Sequence, residues 1–288
     1  MSKNHPFRTS KSSASAPGMA HIGNPARALL TQAATGRGAP PSCRPIRKPV
    51  LRKASTSGEL ALRNLYLAFL LAFAVTMFGF WPSFTGGMGP LDPIRVVHGA
   101  LATTWMVLLV VQSWLIGHGH NRFHRWIGRA SLVIAPSLVI SALVVVHDML
   151  GPRSHFDVPL RLTLAWIDLW SLALFSLLYG LGIAHRRTRF LHARFMASTV
   201  FVALPPALGR AYGMNIPSLN GLAGALPPSF WTVEAVLVGL ILWDGFKGRW
   251  RTPWWLPLGA MLAIHLTMFQ APTWPGFVAL ARLIGLPG

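Results

Sequence analysis

Seven long apolar runs, separated by short polar loops, follow a polar N-terminal stretch of this chain. They cover residues 63–82, 97–116, 126–147, 160–184, 194–213, 229–246 and 253–271. At about 1.5 Å per residue, a helix built from each run is long enough to cross about 30 Å of hydrocarbon. The pattern predicts an all-α fold over residues 58–288, a polytopic transmembrane bundle of about seven helices.

The loops between these runs alternate in their content of Lys and Arg. Loops after the second, fourth and sixth runs are strongly basic, whereas those on the other side carry few basic residues. Because cytoplasmic loops of membrane proteins are enriched in Lys and Arg, this alternation predicts an N-in, C-out orientation. The lipid bilayer is then the expected partner of the chain.

Residues 1–57 carry ten Lys or Arg and no Asp or Glu, and they are rich in Ser, Ala, Pro and Gly. Such a composition predicts a disordered basic tail, although a transit peptide or a misassigned start codon has the same appearance. The net charge of +19 lies mainly in this tail and the loops, so it does not predict a nucleic-acid partner. The single cysteine, Cys43, excludes a disulfide framework and a CxxCH haem attachment within the chain.

Four ionisable residues lie in the outer halves of apolar runs, where a charge is costly and therefore suggests a function. They are Asp168, Arg210, Glu234 and His265. One interpretation is an ion pair between Arg210 and either acid that holds helices together. The other is a polar cavity for a substrate or for protons, as in a small-molecule or proton-coupled transporter.

Two histidines, His124 and His192, begin the third and fifth runs from the same side of the membrane. Small or flexible residues follow each histidine at helical spacing: Gly128 and Ser131 after His124, and Met196 and Thr199 after His192. A haem b held by two imidazoles needs such an arrangement, and close helix packing favours it equally. Arginines near both histidines are candidate partners for haem propionates, namely Arg125, Arg129 and Arg194.

A second set of polar and aromatic residues lies in the second run. His98, Trp105 and Gln112 are spaced seven residues apart on one slowly drifting helical face. His98 could form a second, outer haem site with His147 or with His155. The alternative is an interfacial histidine that binds no ligand.

The stretch from His98 to Ser131 resembles a family of bacterial membrane proteins of unknown function, in which an HRxxG motif follows the histidine, tryptophan and glutamine. In this chain the motif begins at His124 and ends at Gly128. The layout is also loosely similar to transmembrane cytochrome b reductases, which carry electrons between two bis-histidine haems. These resemblances imply a multi-pass protein of a bacterial inner membrane, with transmembrane electron transfer as a candidate function. The fourth run departs from the reductase pattern because it has no internal histidine.

Overall fold

The computed structural model describes residues 65–85 and 92–288, and these residues form helices and turns. The helices are α1 (Leu65–Phe84), α2 (Pro93–Gly117), α3 (Asn121–Gly128), α4 (Ser131–Leu150), α5 (Val158–Ala184), α6 (Arg189–Asn215), α7 (Leu222–Phe246), α8 (Trp255–Thr267) and α9 (Pro275–Ile284). No strand occurs in the described ranges, so the predicted all-α class is confirmed. The predicted tail, residues 1–57, lies outside the described residues.

Six helical stretches in the described part of the chain are long and apolar enough to cross a membrane. They are α1, α2, α3 together with α4, α5, α6 and α7. The chain is therefore a multi-pass integral membrane protein. The seventh apolar run forms the 13-residue helix α8, followed by a 3₁₀ turn at Ala271–Thr273. Pro272 lies in that turn, where its missing N–H cannot extend the helical hydrogen-bond ladder. The count of seven spans and the N-in, C-out orientation stay predictions.

Five helices close into a ring in which each packs against the next: α1, α2, α4, α5, α6 and again α1. We call this assembly the five-helix ring. Each of its helices contributes a buried side chain to one apolar cluster: Phe69, Trp105, Leu138, Phe175 and Val200. Trp105 is only 2% exposed. It lies edge-on to two aromatic rings of α5, at 5.2 Å from Phe175 and 5.6 Å from Tyr179 between ring centres. The ring is therefore filled at its middle by an aromatic core.

Outside the five-helix ring, α7 packs on α6, and α8 packs on both α7 and α5. Fully buried apolar residues such as Phe230, Leu237 and Met261 occupy this second interface. The last helix, α9, packs against α4 and α5. The turns α2–α3, α5–α6 and α7–α8, together with the helix ends beside them, hold most of the basic residues in the described part of the chain and are called the basic end below. The opposite end of the bundle is called the far end.

The central helix α6 contains Pro205 and Pro206 but stays helical from Arg189 to Asn215. Two consecutive prolines inside a helix remove backbone donors and favour a kink or a break, yet no break occurs. The Arg210 Nη1 atom donates to the Pro206 carbonyl at 3.0 Å. Beside this segment, α1 approaches so closely at Gly79 that a Cβ there would clash with the Ala207 carbonyl. Only glycine fits at that crossing.

Candidate functional site

The structure brings His124 and His192 together at the basic end of the bundle. His124 comes from the short helix α3, and His192 lies in the first turn of α6. Their ring centres are 6.3 Å apart, and the ring planes are nearly perpendicular, at 87°. Both side chains are half-buried. Two histidines that are far apart in the sequence thus form one pair, which we call the histidine pair.

Gln112 of α2 organises one side of the histidine pair. The orientation of its amide is assigned from the hydrogen-bond partners: the oxygen accepts from the Gly128 N–H at 2.9 Å, and the nitrogen donates to the His124 carbonyl at 3.1 Å. In this orientation the same nitrogen also donates to His124 Nδ1. The glutamine therefore binds both the first and the last residue of the HRxxG motif. This contact joins α3 to α2.

The hydrogen bonds at Nδ1 set the two histidines in different tautomers. His124 Nδ1 accepts from Gln112, so the proton of the neutral ring is on Nε2. His192 Nδ1 donates to the Gly182 carbonyl at 2.7 Å, so its Nε2 carries a free lone pair. One ring thus presents a proton donor and the other a proton acceptor. Once a second proton reaches Nδ1 of His124, in place of the hydrogen bond from Gln112, its Nε2–H can pass to the lone pair on Nε2 of His192, which leaves His124 neutral and His192 protonated.

A haem held by this pair requires a particular spacing of the two rings and a lone pair on each. Two Fe–N bonds of about 2 Å, with each ring centre about an ångström behind its nitrogen, require a centre spacing of about 6 Å. The observed 6.3 Å matches this spacing. Iron also needs a lone pair on both Nε2 atoms, and the hydrogen bond from Gln112 places a proton on Nε2 of His124. The spacing fits a haem, but the tautomer of His124 does not.

The stripe of small residues that the sequence predicted as a porphyrin lining is in contact with other side chains. Gly128 lies against Gln112, and the Ser131 hydroxyl lies 3.1 Å from the Tyr179 hydroxyl. Met196 packs on Gly182. Thr199 accepts a hydrogen bond from Trp105 Nε1 at 3.2 Å. The stripe therefore serves helix packing, and the residues present do not fit a haem between α4 and α6. Arg194, a candidate propionate partner, binds Asp244 instead.

A second polar group lies at the far end of the same five-helix ring. Asp168 of α5 and Arg210 of α6 lie within electrostatic range of each other, and Arg210 also acts on His98 of α2. The guanidinium of Arg210 lies 4.5 Å over the ring of Phe80. In the described part of the chain, Asp168 and Arg210 form no direct ion pair. The five-helix ring thus has Asp168, Arg210 and His98 at its far end and the histidine pair at its basic end.

The other two ionisable residues singled out by the sequence form a separate pair. Glu234 of α7 accepts from His265 of α8 through Oε1 and Nδ1 at 2.9 Å. The His265 ring also stacks on Phe230, with ring centres 5.3 Å apart. The suggested pairing of Arg210 with Glu234 is therefore not observed. The reason is that the Glu234 carboxylate faces α8, where His265 is its partner.

The predicted outer haem ligands do not meet in the described structure. His98 Nδ1 lies 3.1 Å from the Ser141 hydroxyl, within hydrogen-bond distance. His147, nearly two helical turns further along α4, bonds through Nδ1 to the Ile284 carbonyl at the end of α9. Each histidine thus has its own partner on a different helix. The structure offers no support for a second haem site formed by these two residues.

Sequence reasoning missed one buried acid at the basic end, Asp244. Arg194 donates to both of its carboxylate oxygens, at 2.9 and 2.6 Å. The Thr252 hydroxyl and Trp254 Nε1 donate to the same carboxylate, at 2.9 and 3.0 Å. Asp244 is 2% exposed and joins α6 and α7 to the turn that precedes α8. Its position at the last turn of an apolar run, in a basic loop region, was the signal available in the sequence.

Comparison of the chain with protein-family models, with curated proteins and with solved structures found no match.

Proposed function

We propose that this membrane protein moves protons across the bilayer through the five-helix ring, alone or coupled to a small solute. The observation that carries the proposal is the opposite polarity of the histidine pair. His124 presents an N–H and His192 presents a lone pair, and each is held by a hydrogen bond at its other nitrogen. Histidine is the side chain best suited to gain and lose a proton near neutral pH.

The rest of the ring supplies polar groups between the two ends. Tyr179 and Ser131 lie one level deeper than the histidine pair, and Trp105 with Thr199 lies at the buried core. Asp168 and Arg210 form the polar group at the far end. Charged residues inside membrane spans commonly mark ion or proton pathways. The closely packed aromatic core between the two ends is the barrier that a transport cycle has to open, as alternating access requires.

The test is proton flux in liposomes that contain the purified protein and an internal pH-sensitive dye. A potassium gradient with valinomycin supplies the driving potential. His124→Ala and His192→Ala should each lower the initial flux by at least about tenfold, since positioned proton-transfer groups contribute roughly 10²–10⁴-fold. The matched control is His120→Ala, because His120 is exposed and its ring lies against the rings of Trp114 and Phe123, away from His124 and His192 in the pairings seen. Equal flux from His192→Ala and the parent protein contradicts the proposal.

The absorption spectrum of the same preparation tests the haem hypothesis. Our proposal predicts no Soret band that depends on the histidine pair. A b-type spectrum lost in His124→Ala and His192→Ala, and kept in His118→Ala, would instead support electron transfer. Nitrogen-15 NMR of the imidazoles adds an independent check, with His124 expected in the Nε2–H form.

A further inference from the structure

A basic and aromatic depression lies at the basic end, between the start of α6 and the turn from α7 to α8. Its volume is about 500 Å³, and it is lined by Phe190, Gly248, Arg249, Trp250 and Arg251. It lies apart from the histidine pair and from the polar residues of the five-helix ring. Arg249 and Arg251 are both exposed. Neither forms an ion pair with an acid among the described residues.

The turn that carries these residues has a defined backbone. Gly248 adopts φ +72°, a left-handed conformation that favours glycine and is typical of helix C-termini. The Gly248 and Arg249 N–H groups donate to the carbonyls of Gly245 and Asp244, at 2.8 and 2.9 Å. The same Asp244 binds Arg194 of α6 through its carboxylate. The depression is thus built on the buried ion pair that joins α6 to α7.

Aromatic side chains hold both walls of the depression in place. The Trp250 ring lies against α7 at Gly245, where an added Cβ would come within 2.6 Å of it. On the other wall, Phe190 lies 3.6 Å from the Arg194 guanidinium and 5.7 Å from that of Arg249. The second of these contacts places the exposed Arg249 guanidinium beside the Phe190 wall of the depression. A cationic site with aromatic walls results.

The surrounding tryptophans place the depression at the level of lipid headgroups. Trp243, Trp250 and Trp255 are each more than half exposed and lie on neighbouring turns of α7, the loop and α8. Exposed tryptophans on an apolar bundle are typical of the membrane–water interface. Lys247 adds a further cation there, 4.2 Å over the Trp243 ring. An interfacial site with this charge suits a phosphate that is attached to a lipid.

We propose that this depression binds the headgroup of an anionic phospholipid, with Arg249 and Arg251 contacting the phosphate. Arginine matches phosphate geometry through paired N–H donors. Trp250 and Phe190 contact the glycerol region of the same lipid. Basic pockets between spans on the cytoplasmic side recognise anionic headgroups in this way. The site does not depend on proton transport, so it can be tested separately.

The experiment measures the melting temperature of the purified full chain in a neutral detergent, with increasing short-chain phosphatidylglycerol. Native mass spectrometry of the same samples counts bound lipids. Phosphatidylglycerol should raise the melting temperature and remain bound, whereas phosphatidylcholine should do neither. The variant R249Q/R251Q should bind phosphatidylglycerol about 30-fold more weakly, because each interfacial charge contributes about a factor of five.

The matched control is R186Q/R187Q, which removes the same charge from the exposed α5–α6 turn at the same end of the bundle. It should bind phosphatidylglycerol like the parent protein. Equal loss of binding in both variants would show general attraction to a basic surface and overturn the proposal. So would equal stabilisation by phosphatidylcholine. Inorganic phosphate that reproduces the full shift would identify a site for a soluble anion and overturn the lipid assignment. Melting of R249Q/R251Q without lipid checks that the variant is folded.

Discussion

Asp244 and Asp168 each lie near an arginine of α6, yet their surroundings differ. Asp244 accepts hydrogen bonds from Arg194, Thr252 and Trp254 and is nearly inaccessible. Asp168 lies near enough to Arg210 for the two charges to interact, but the two side chains form no direct ion pair in the described structure. A carboxylate that is fully hydrogen-bonded holds helices together. A carboxylate that only lies near a positive charge can exchange a proton or bind a ligand.

The largest expected effect is on stability, at Asp244. Asp244→Ala should lower the free energy of unfolding by about 3–5 kcal/mol, because it removes a buried carboxylate and leaves Arg194, whose side chain is 18% exposed, without its partner. The measurement is thermal or denaturant unfolding in detergent. The double variant Asp244→Ala with Arg194→Ala should recover part of the loss, since the two residues act as one unit. Unfolding of Asp244→Ala at the parent midpoint would show that this cluster does not join the helices.

An intermediate effect is expected at the pair that joins α7 to α8. Glu234→Gln and His265→Phe should each destabilise the protein. A double-mutant cycle should give a coupling free energy of about 1–2 kcal/mol, as expected for a hydrogen bond between an imidazole and a carboxyl group. Phenylalanine keeps the stacking of His265 on Phe230, so the cycle isolates the hydrogen bond. Proton flux should persist in these variants, because the pair lies outside the five-helix ring. Loss of flux at parental stability would place Glu234 in the pathway.

The smallest effect on stability, and a large one on function, is expected at Asp168. Asp168→Asn should change the free energy of unfolding by less than about 1 kcal/mol, since no direct ion pair is broken. Proton flux in liposomes should fall by at least about tenfold, since asparagine cannot exchange a proton. Asp168→Glu is the control that keeps the titratable group. If Asp168→Asn destabilised the protein as strongly as Asp244→Ala, the two acids would share a structural role.

The polar and aromatic residues of the second run show how much of the structure could be predicted from the sequence. The spacing of His98, Trp105 and Gln112 predicted one helical face, and each of the three contacts a different helix of the bundle. The spacing could not reveal the partners, because these belong to α4, α6 and α3. Residues at i, i+7 and i+14 share a face through local helix geometry. The helix they meet depends on how distant segments pack.

The small residues after the two histidines show the opposite outcome. Their periodicity was compatible with a haem lining and with close packing, and only the packed structure separates the two. Ser131 and Thr199 are in hydrogen-bonding contact with Tyr179 and Trp105, two residues from other helices. Nothing in the local sequence identifies those aromatic residues as the occupants of the space. Small side chains leave space beside a helix, and the packing of the other helices determines which side chains occupy that space.

The all-α class and the membrane location follow from sequence alone, because apolar runs of about 20 residues match the length of a spanning helix, in which every backbone group is hydrogen-bonded within the segment. The sequence also marked His124, His192 and Asp168 as candidates, since ionisable groups are costly in or near spans. The tertiary structure alone decided that the histidines meet, in tautomers set by Gln112 and the Gly182 carbonyl. Hydropathy is a property of each segment by itself, whereas a hydrogen-bond partner depends on the arrangement of all the helices at once.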